Sequence, residues 1–213
     1  MRGLFSFVAV ALSGTAFAAP YEKSVEGVLP APLKISCAET AGWTFDVRIL
    51  PSTVKDVAEV EIRLARDAEA LPPSFSVSSS VPQGGIRYRW SADDRDFGVT
   101  PTWAATVKSD LAHGMPLYSF FAQDDENRLT LACTEARRSV TFMGGMREVT
   151  RNFDFSWTFF EGVEAPLRDY RVRFRFDRRR VPFADALRTS AAWVPAAAGF
   201  APAVPPAAAY EPL

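Results

Sequence analysis

Two acidic clusters, Asp93-Asp94-Arg95-Asp96 and Asp124-Asp125-Glu126, hold carboxylates close enough along the chain to offer oxygen ligands to a calcium ion. The ligand order of a full calcium loop is absent from both. Asp is favoured in turns because its side chain bonds its own backbone, so turn formation is the stronger reading of each cluster. Paired carboxylates can also run glycoside hydrolysis, but a pair within one turn lacks the opposed placement across a sugar that the reaction needs. His113 is the sole histidine, which excludes a two-histidine metal site, and Cys37 and Cys133 are too far apart in sequence to form a close zinc pair. Neither a Gly-x-Ser-x-Gly elbow nor a phosphate-cradling glycine loop occurs, and no cofactor is expected. Trp103 and His113 bracket a segment that leads into the apolar run at Leu117, and a ring face with a polar group nearby suits a sugar's apolar side and hydroxyl edge. Core or interdomain packing is the commoner fate of such a tryptophan.

The elements that must position these groups are strands. From Ser24 to Asp177 the dominant period is two, as in half-buried strands. Trp43, Phe45, Val47 and Ile49 share one face, as do Val60, Ile62 and Leu64. Ile86–Trp90, Leu117–Phe121, Leu129–Cys133 and Val140–Phe142 continue the pattern. Phe153, Phe155, Trp157 and Phe159 point one way, and so do Tyr170, Val172, Phe174 and Phe176. Burying four such side chains is worth roughly 6–12 kcal/mol gross, against about 1 kcal/mol for the whole strand-propensity scale, so burial sets the register. The expected fold is all-β: a two-sheet antiparallel sandwich, supersandwich-like, with a short C-terminal helix and an extended Ala/Pro linker. Gln83-Gly-Gly85 and Gln123–Asn127 read as turns, and Ala92–Thr102 as a longer irregular connection and the best candidate for a functional loop. Pro182 followed by Phe183, Leu187 and Ala191 predicts a helix ending near Trp193. Arg171, Arg173 and Arg175 alternate with Val172, Phe174 and Phe176, so the basic stripe they form with Arg178, Arg179 and Arg180 is the outer side of a strand.

The opening residues read as an export signal: a positive Arg2, an apolar Leu4 to Leu12, and a small-x-small site at Ala16-Phe17-Ala18. The organisation expected is a signal peptide over 1–18, a sandwich over 19–181, a helix over 182–193 and a linker over 194–213. No segment reaches the ~20 continuous apolar residues of a membrane span, so an exported chain without one is expected, periplasmic or extracellular. A net charge of -1 argues against a nucleic-acid partner. Export also permits a disulfide between Cys37 and Cys133, although both sit in apolar alternating segments that equally suit buried free thiols.

Two longer stretches carry a resemblance: Asn127-Arg-Leu-Thr-Leu-Ala-Cys-Thr-Glu-Ala-Arg-Arg138, and Asp177-Arg-Arg-Arg-Val-Pro-Phe-Ala-Asp-Ala-Leu-Arg188 running on to Trp193. With Gly145-Met-Arg-Glu148 and Phe153 to Glu161, they resemble the N-terminal domain of alpha-galactosidases of glycoside hydrolase family thirty-six. The resemblance covers roughly Tyr88 to Trp193, about half the chain. It implies a non-catalytic sandwich whose partner is a C-terminal catalytic barrel of the same parent chain, the barrel carrying both carboxylates of a retaining mechanism. No catalytic residue is then expected between Met1 and Leu213, and the carbohydrate substrate, a terminal alpha-galactoside, would be met through the parent. The segment from Trp103 to Tyr118 also resembles the family, which makes Trp103 and His113 the candidate carbohydrate-binding residues at the pocket wall. The alanine runs Ala196–Ala198 and Ala207–Ala209 depart from the family's linker. A free-standing exported carbohydrate-binding module, and a purely structural module, are the alternatives on the same sandwich.

Overall fold

A computed structural model describes residues 19–82, 87–90, 104–109, 119–123, 128–134, 140–147, 152–162, 165–182, 185–186, 188–190 and 192–193. Its strands run in chain order as β1 (Tyr21–Val25), β2 (Leu33–Cys37), β3 (Thr44–Leu50), β4 (Val57–Ala70), β5 (Phe75–Pro82) and β6 (Arg87–Trp90), then β7 (Ala104–Ser109), β8 (Ser119–Gln123), β9 (Arg128–Cys133), β10 (Val140–Arg147), β11 (Asn152–Phe159) and β12 (Leu167–Asp177). They form two six-stranded sheets of order β1-β2-β5-β11-β10-β7 and β3-β4-β12-β9-β8-β6, and each pairing between neighbours is antiparallel. The expected two-sheet sandwich is therefore the fold. The described residues between Asp185 and Trp193 are helical. Pro182 starts that turn, its carbonyl accepting from the Asp185 and Ala186 amides at 3.0 Å each.

Aromatic alternation on β11 and β12 builds the core. Phe153, Phe155, Trp157 and Phe159 face inward from the first sheet, and Tyr170, Val172, Phe174 and Phe176 from the second. Trp157 meets Phe174 with ring centroids 5.1 Å apart, and Phe159 meets Phe174 edge-on at 5.8 Å, so the two central strands lock the layers together. Gly144 of β10 permits this density, since a Cβ there would lie 3.1 Å from a Phe142 ring carbon and 3.3 Å from one of Phe153. Phe160, just past β11, is held at a φ of 60° that bulky side chains avoid, and its ring packs edge-on against Tyr170 at 4.7 Å.

One lateral end of the sandwich is closed by β1 and β3, the edge strands of the two sheets, where Tyr21 stacks on Phe45 at 4.5 Å. Coverage stops short of the end of β3. Ile49, expected to face the core with Phe45 and Val47, does take the inward side opposite Val60 but stays 54% exposed, because the first sheet does not extend over it. Among the described residues, no helix is long and apolar enough to cross a membrane.

Candidate functional surfaces

The outer side of the second sheet carries the arginine stripe, and strand register gives nearly every member a carboxylate. Glu61 lies directly opposite Arg173, and Glu59 opposite Arg175, with ion-pair distances of 2.7 Å and 3.1 Å. Arg63 faces Arg171, a like-charge pairing that would be destabilising on its own. Asp169, one step along the same face, resolves it: it takes three hydrogen bonds from Arg63, at 3.0, 3.1 and 2.6 Å, and lies 4.0 Å from Arg171. Hydrogen bonding from Arg63 holds the Asp169 carboxyl below its usual pKa. Asp46 on β3 is likewise held down, first by its bond from Arg48. The expected outer strand side is thus an ordered ladder of alternating charge, only part of which meets water.

The ladder tightens toward the end of β12. The Asp177 side chain is 5% exposed and takes a forked pair of bonds from Arg179, Nε to Oδ1 at 2.9 Å and Nη2 to Oδ2 at 2.6 Å. Oδ1 also accepts the Arg179 amide at 3.0 Å, which turns the chain out of the strand, and Arg175 stands 3.7 Å from Oδ2. Alongside, the Arg178 amide donates to the Asp56 carbonyl at 2.9 Å. Glu59, Arg175, Asp177 and Arg179 together form a charged clamp that fixes where the sandwich hands over to Pro182 and the helix. Ala186 and Ser190, one helical turn apart, are both buried, so the helix has a packed side.

The outer side of the first sheet is different in kind. Ser36, Ser76, Thr158 and Thr141 line up across four strands, and Lys34, Ser78, Ser156 and Met143 form the adjacent row. Ser36 and Ser76 share a hydrogen bond of 2.8 Å, Asn152 donates to Ser80 at 3.1 Å, and Thr141 bonds Glu161. This is a hydroxyl-rich surface interrupted by Lys34 and the half-exposed Met143. Among the described residues it brings no histidine or cysteine beside a hydroxyl, and no cluster of His, Cys, Asp and Glu could hold a metal ion.

Trp103 and His113 lie outside the described residues, as do both acidic clusters, the Ala92–Thr102 connection and the Gln83-Gly-Gly85 turn. Within the Trp103–Tyr118 segment β7 is described and is an edge of the first sheet, and β8, which follows the segment, lies next to the edge of the second, so the chain passes from one sheet to the other between Ser109 and Ser119 at the side away from β1 and β3. Gln123 sits opposite Arg128 across β8 and β9, as the ends of a hairpin do. Cys37 and Cys133 are buried and unbridged, on β2 and β9 of different sheets, and the Cys37 thiol donates to the Glu39 carbonyl at 3.2 Å. Burial pushes the Cys37 pKa up.

The sequence alone does not reveal the clamp. Its signal was there in Asp177-Arg-Arg, an Asx turn with its own counter-ion, but the partner Glu59 lies 116 residues from Arg175 and is found only through the register. No protein-family model matches the chain, and no curated protein matches it in sequence.

Proposed function

We propose that the chain is the exported, non-catalytic N-terminal sandwich of an alpha-galactosidase-like glycoside hydrolase, acting on terminal alpha-galactosides through a barrel of the same parent chain. One observation carries the reading beyond motif likeness. The two stretches that resemble the family, Asn127–Arg138 and the stretch opening at Asp177, meet at the end of the β9–β12 pairing, where Thr130 faces Asp177. Thr134 extends the contact, its amide donating to the Arg173 carbonyl at 3.0 Å and its Oγ1 accepting the Arg173 amide at 2.9 Å. The first stretch thus runs alongside the end of β12 and reaches the opening residue of the second at Thr130–Asp177, at the exit that the Asp177 clamp rigidifies. A firm exit suits a module that must hold a following domain in a set orientation.

On this reading the sandwich supplies orientation and Trp103 and His113 supply part of the sugar pocket's wall, while the reacting carboxylates belong to the barrel. An antibody raised against these residues tests it on the native protein. The expected species starts at Ala19, is larger than this chain by a barrel of about 250 residues, and carries alpha-galactosidase activity. A native protein of this size alone, without that activity, refutes the proposal and leaves the free-standing module. Trp103→Ala in the active parent is expected to raise KM for the galactoside severalfold; unchanged affinity removes Trp103 from the pocket.

A further inference from the structure

The edge strand β3 has the layout of a self-pairing strand. Lys23 Nζ donates to the Val47 carbonyl at 3.2 Å, so that carbonyl is turned away from β4. In an antiparallel ladder alternate residues present both backbone groups to the same side. Phe45, Val47 and Ile49 therefore offer their N–H and C=O groups outward, along a strand that has β4 as its only sheet neighbour among the described residues.

We propose that β3 pairs antiparallel with the β3 of a second copy of this chain, about a two-fold axis through Val47. That register is self-complementary. On the outer side Asp46 meets Arg48 of the second copy, and Arg48 meets its Asp46. On the inner side Ile49, more than half exposed, lies beside the second copy's Phe45, whose ring is already fixed by stacking on Tyr21. Within one copy Asp46 and Arg48 pair with each other, and because their side chains are 44% and 65% exposed, each can exchange that partner for its counterpart on the second copy without disturbing the core. Shifting the strands by two residues breaks both charge pairs, so the alternation of Phe45-Asp46-Val47-Arg48-Ile49 selects this register over its neighbours.

The Lys23 ammonium guards the edge in the monomer, as edge lysines do, and must leave the Val47 carbonyl before a second strand can use it. A single short strand pair also buries less than the ~1,200 Å² of a standard stable interface. The dimer is accordingly weak and concentration-dependent. It joins two second sheets edge to edge and leaves the Trp103–Tyr118 side of each sandwich free, so it is independent of the function proposed above.

Sedimentation velocity on the full chain over a hundredfold concentration range tests the pairing, with circular dichroism reporting that each variant is folded. The wild type is expected to shift from monomer toward dimer. Arg48→Asp alone sets carboxylate against carboxylate and Asp46→Arg alone sets guanidinium against guanidinium; each is expected to need at least tenfold higher concentration to dimerise. An equimolar mixture of the two variants restores opposite charges at every site and is expected to recover the wild-type dimer fraction. Ile49→Lys, at an exposed position, gives an independent loss. A wild type that stays monomeric throughout, a dimer indifferent to these substitutions, or a mixture of folded variants that stays monomeric overturns the proposal.

Discussion

Removing the Asp177 carboxylate should destabilise the sandwich by a measurable and bounded amount. Taking one partner from a buried ion pair costs about 3–5 kcal/mol, because the remaining charge is left uncompensated. Two features moderate that here. Arg179 keeps 32% of its side chain in water, and Arg175 retains Glu59 at 3.1 Å. The Arg175 Nε already lacks a hydrogen-bond partner, so little further rearrangement is open to it. Asp177→Ala is therefore expected to cost about 2–3 kcal/mol, and Asp177→Asn about 1 kcal/mol less, since the amide oxygen can still accept the Arg179 N–H. Urea denaturation followed by tryptophan fluorescence reads this directly: with a slope near 2 kcal/mol per molar, the alanine midpoint should fall by about 1–1.5 M. A double-mutant cycle with Arg179→Ala should return a coupling above about 1 kcal/mol. A loss under about 0.5 kcal/mol, with sulfate stabilising the wild type, would refute the internal-clamp reasoning and return the arginine stripe to the role of an anion receptor.

Other expectations follow from single contacts. Gly144→Ala drives a methyl group into the Phe142 and Phe153 rings and should cost about 1–3 kcal/mol in the same urea assay. Asp169 and Asp46 have folded pKa values below their unfolded ones, so their contribution is complete above the unfolded carboxylate range, about pH 4, and is lost as pH falls through the folded values. The thermal midpoint should therefore hold from pH 7 to about pH 5 and fall below about pH 4, with the fall shallower in Arg63→Ala. Cys37 is buried with its pKa raised, so iodoacetamide should modify it slowly in the native protein at pH 8 and at least tenfold faster in urea. Equal rates would mean that β2 opens readily.

Period-two aromatics made β11 and β12 legible because each ring commits a large burial energy to one face. The alternation also placed β3, the central part of β4, β9 and β10. β5 was hidden by its composition: Ser76, Ser78 and Ser80 point outward, and inward-facing Ser79 interrupts the apolar set. That serine is tolerated inside because its hydroxyl donates to the Pro32 carbonyl at 3.0 Å. β4 runs on past Leu64 through Arg66, Asp67 and Glu69, which are exposed and carry no apolar signal, before Ala70 returns to pack against the core. β1 has one buried residue, Val25, and gains its place from pairing with β2 rather than from its own pattern. The outward direction of the arginine stripe is legible from its alternation, but its pairing is not, since Glu61 and Arg173 are 112 residues apart. Pairing across a sheet is a property of register, and register needs the whole topology.

The two outer sides of the sandwich follow from that topology and constrain where a partner can act. The second sheet spends its charges on one another, so a polyanion would have to break ion pairs such as Glu59–Arg175, whose side chains are four-fifths or more withdrawn from water. The first sheet offers hydroxyls in rows but no exposed ring among the described residues on which a sugar face could stack. Among the described residues the broad faces therefore offer a partner little, which leaves the lateral ends, where each outermost strand lacks a neighbour on one side. One end is the β3 edge with its self-complementary charges. The other is the Trp103–Tyr118 connection between the sheets. A saccharide titration followed by amide exchange separates the two: slowed exchange near β7 and β8 with β3 unchanged assigns sugar contact to the connection, whereas protection confined to the serine rows of β5 and β11 would overturn the argument from surface chemistry.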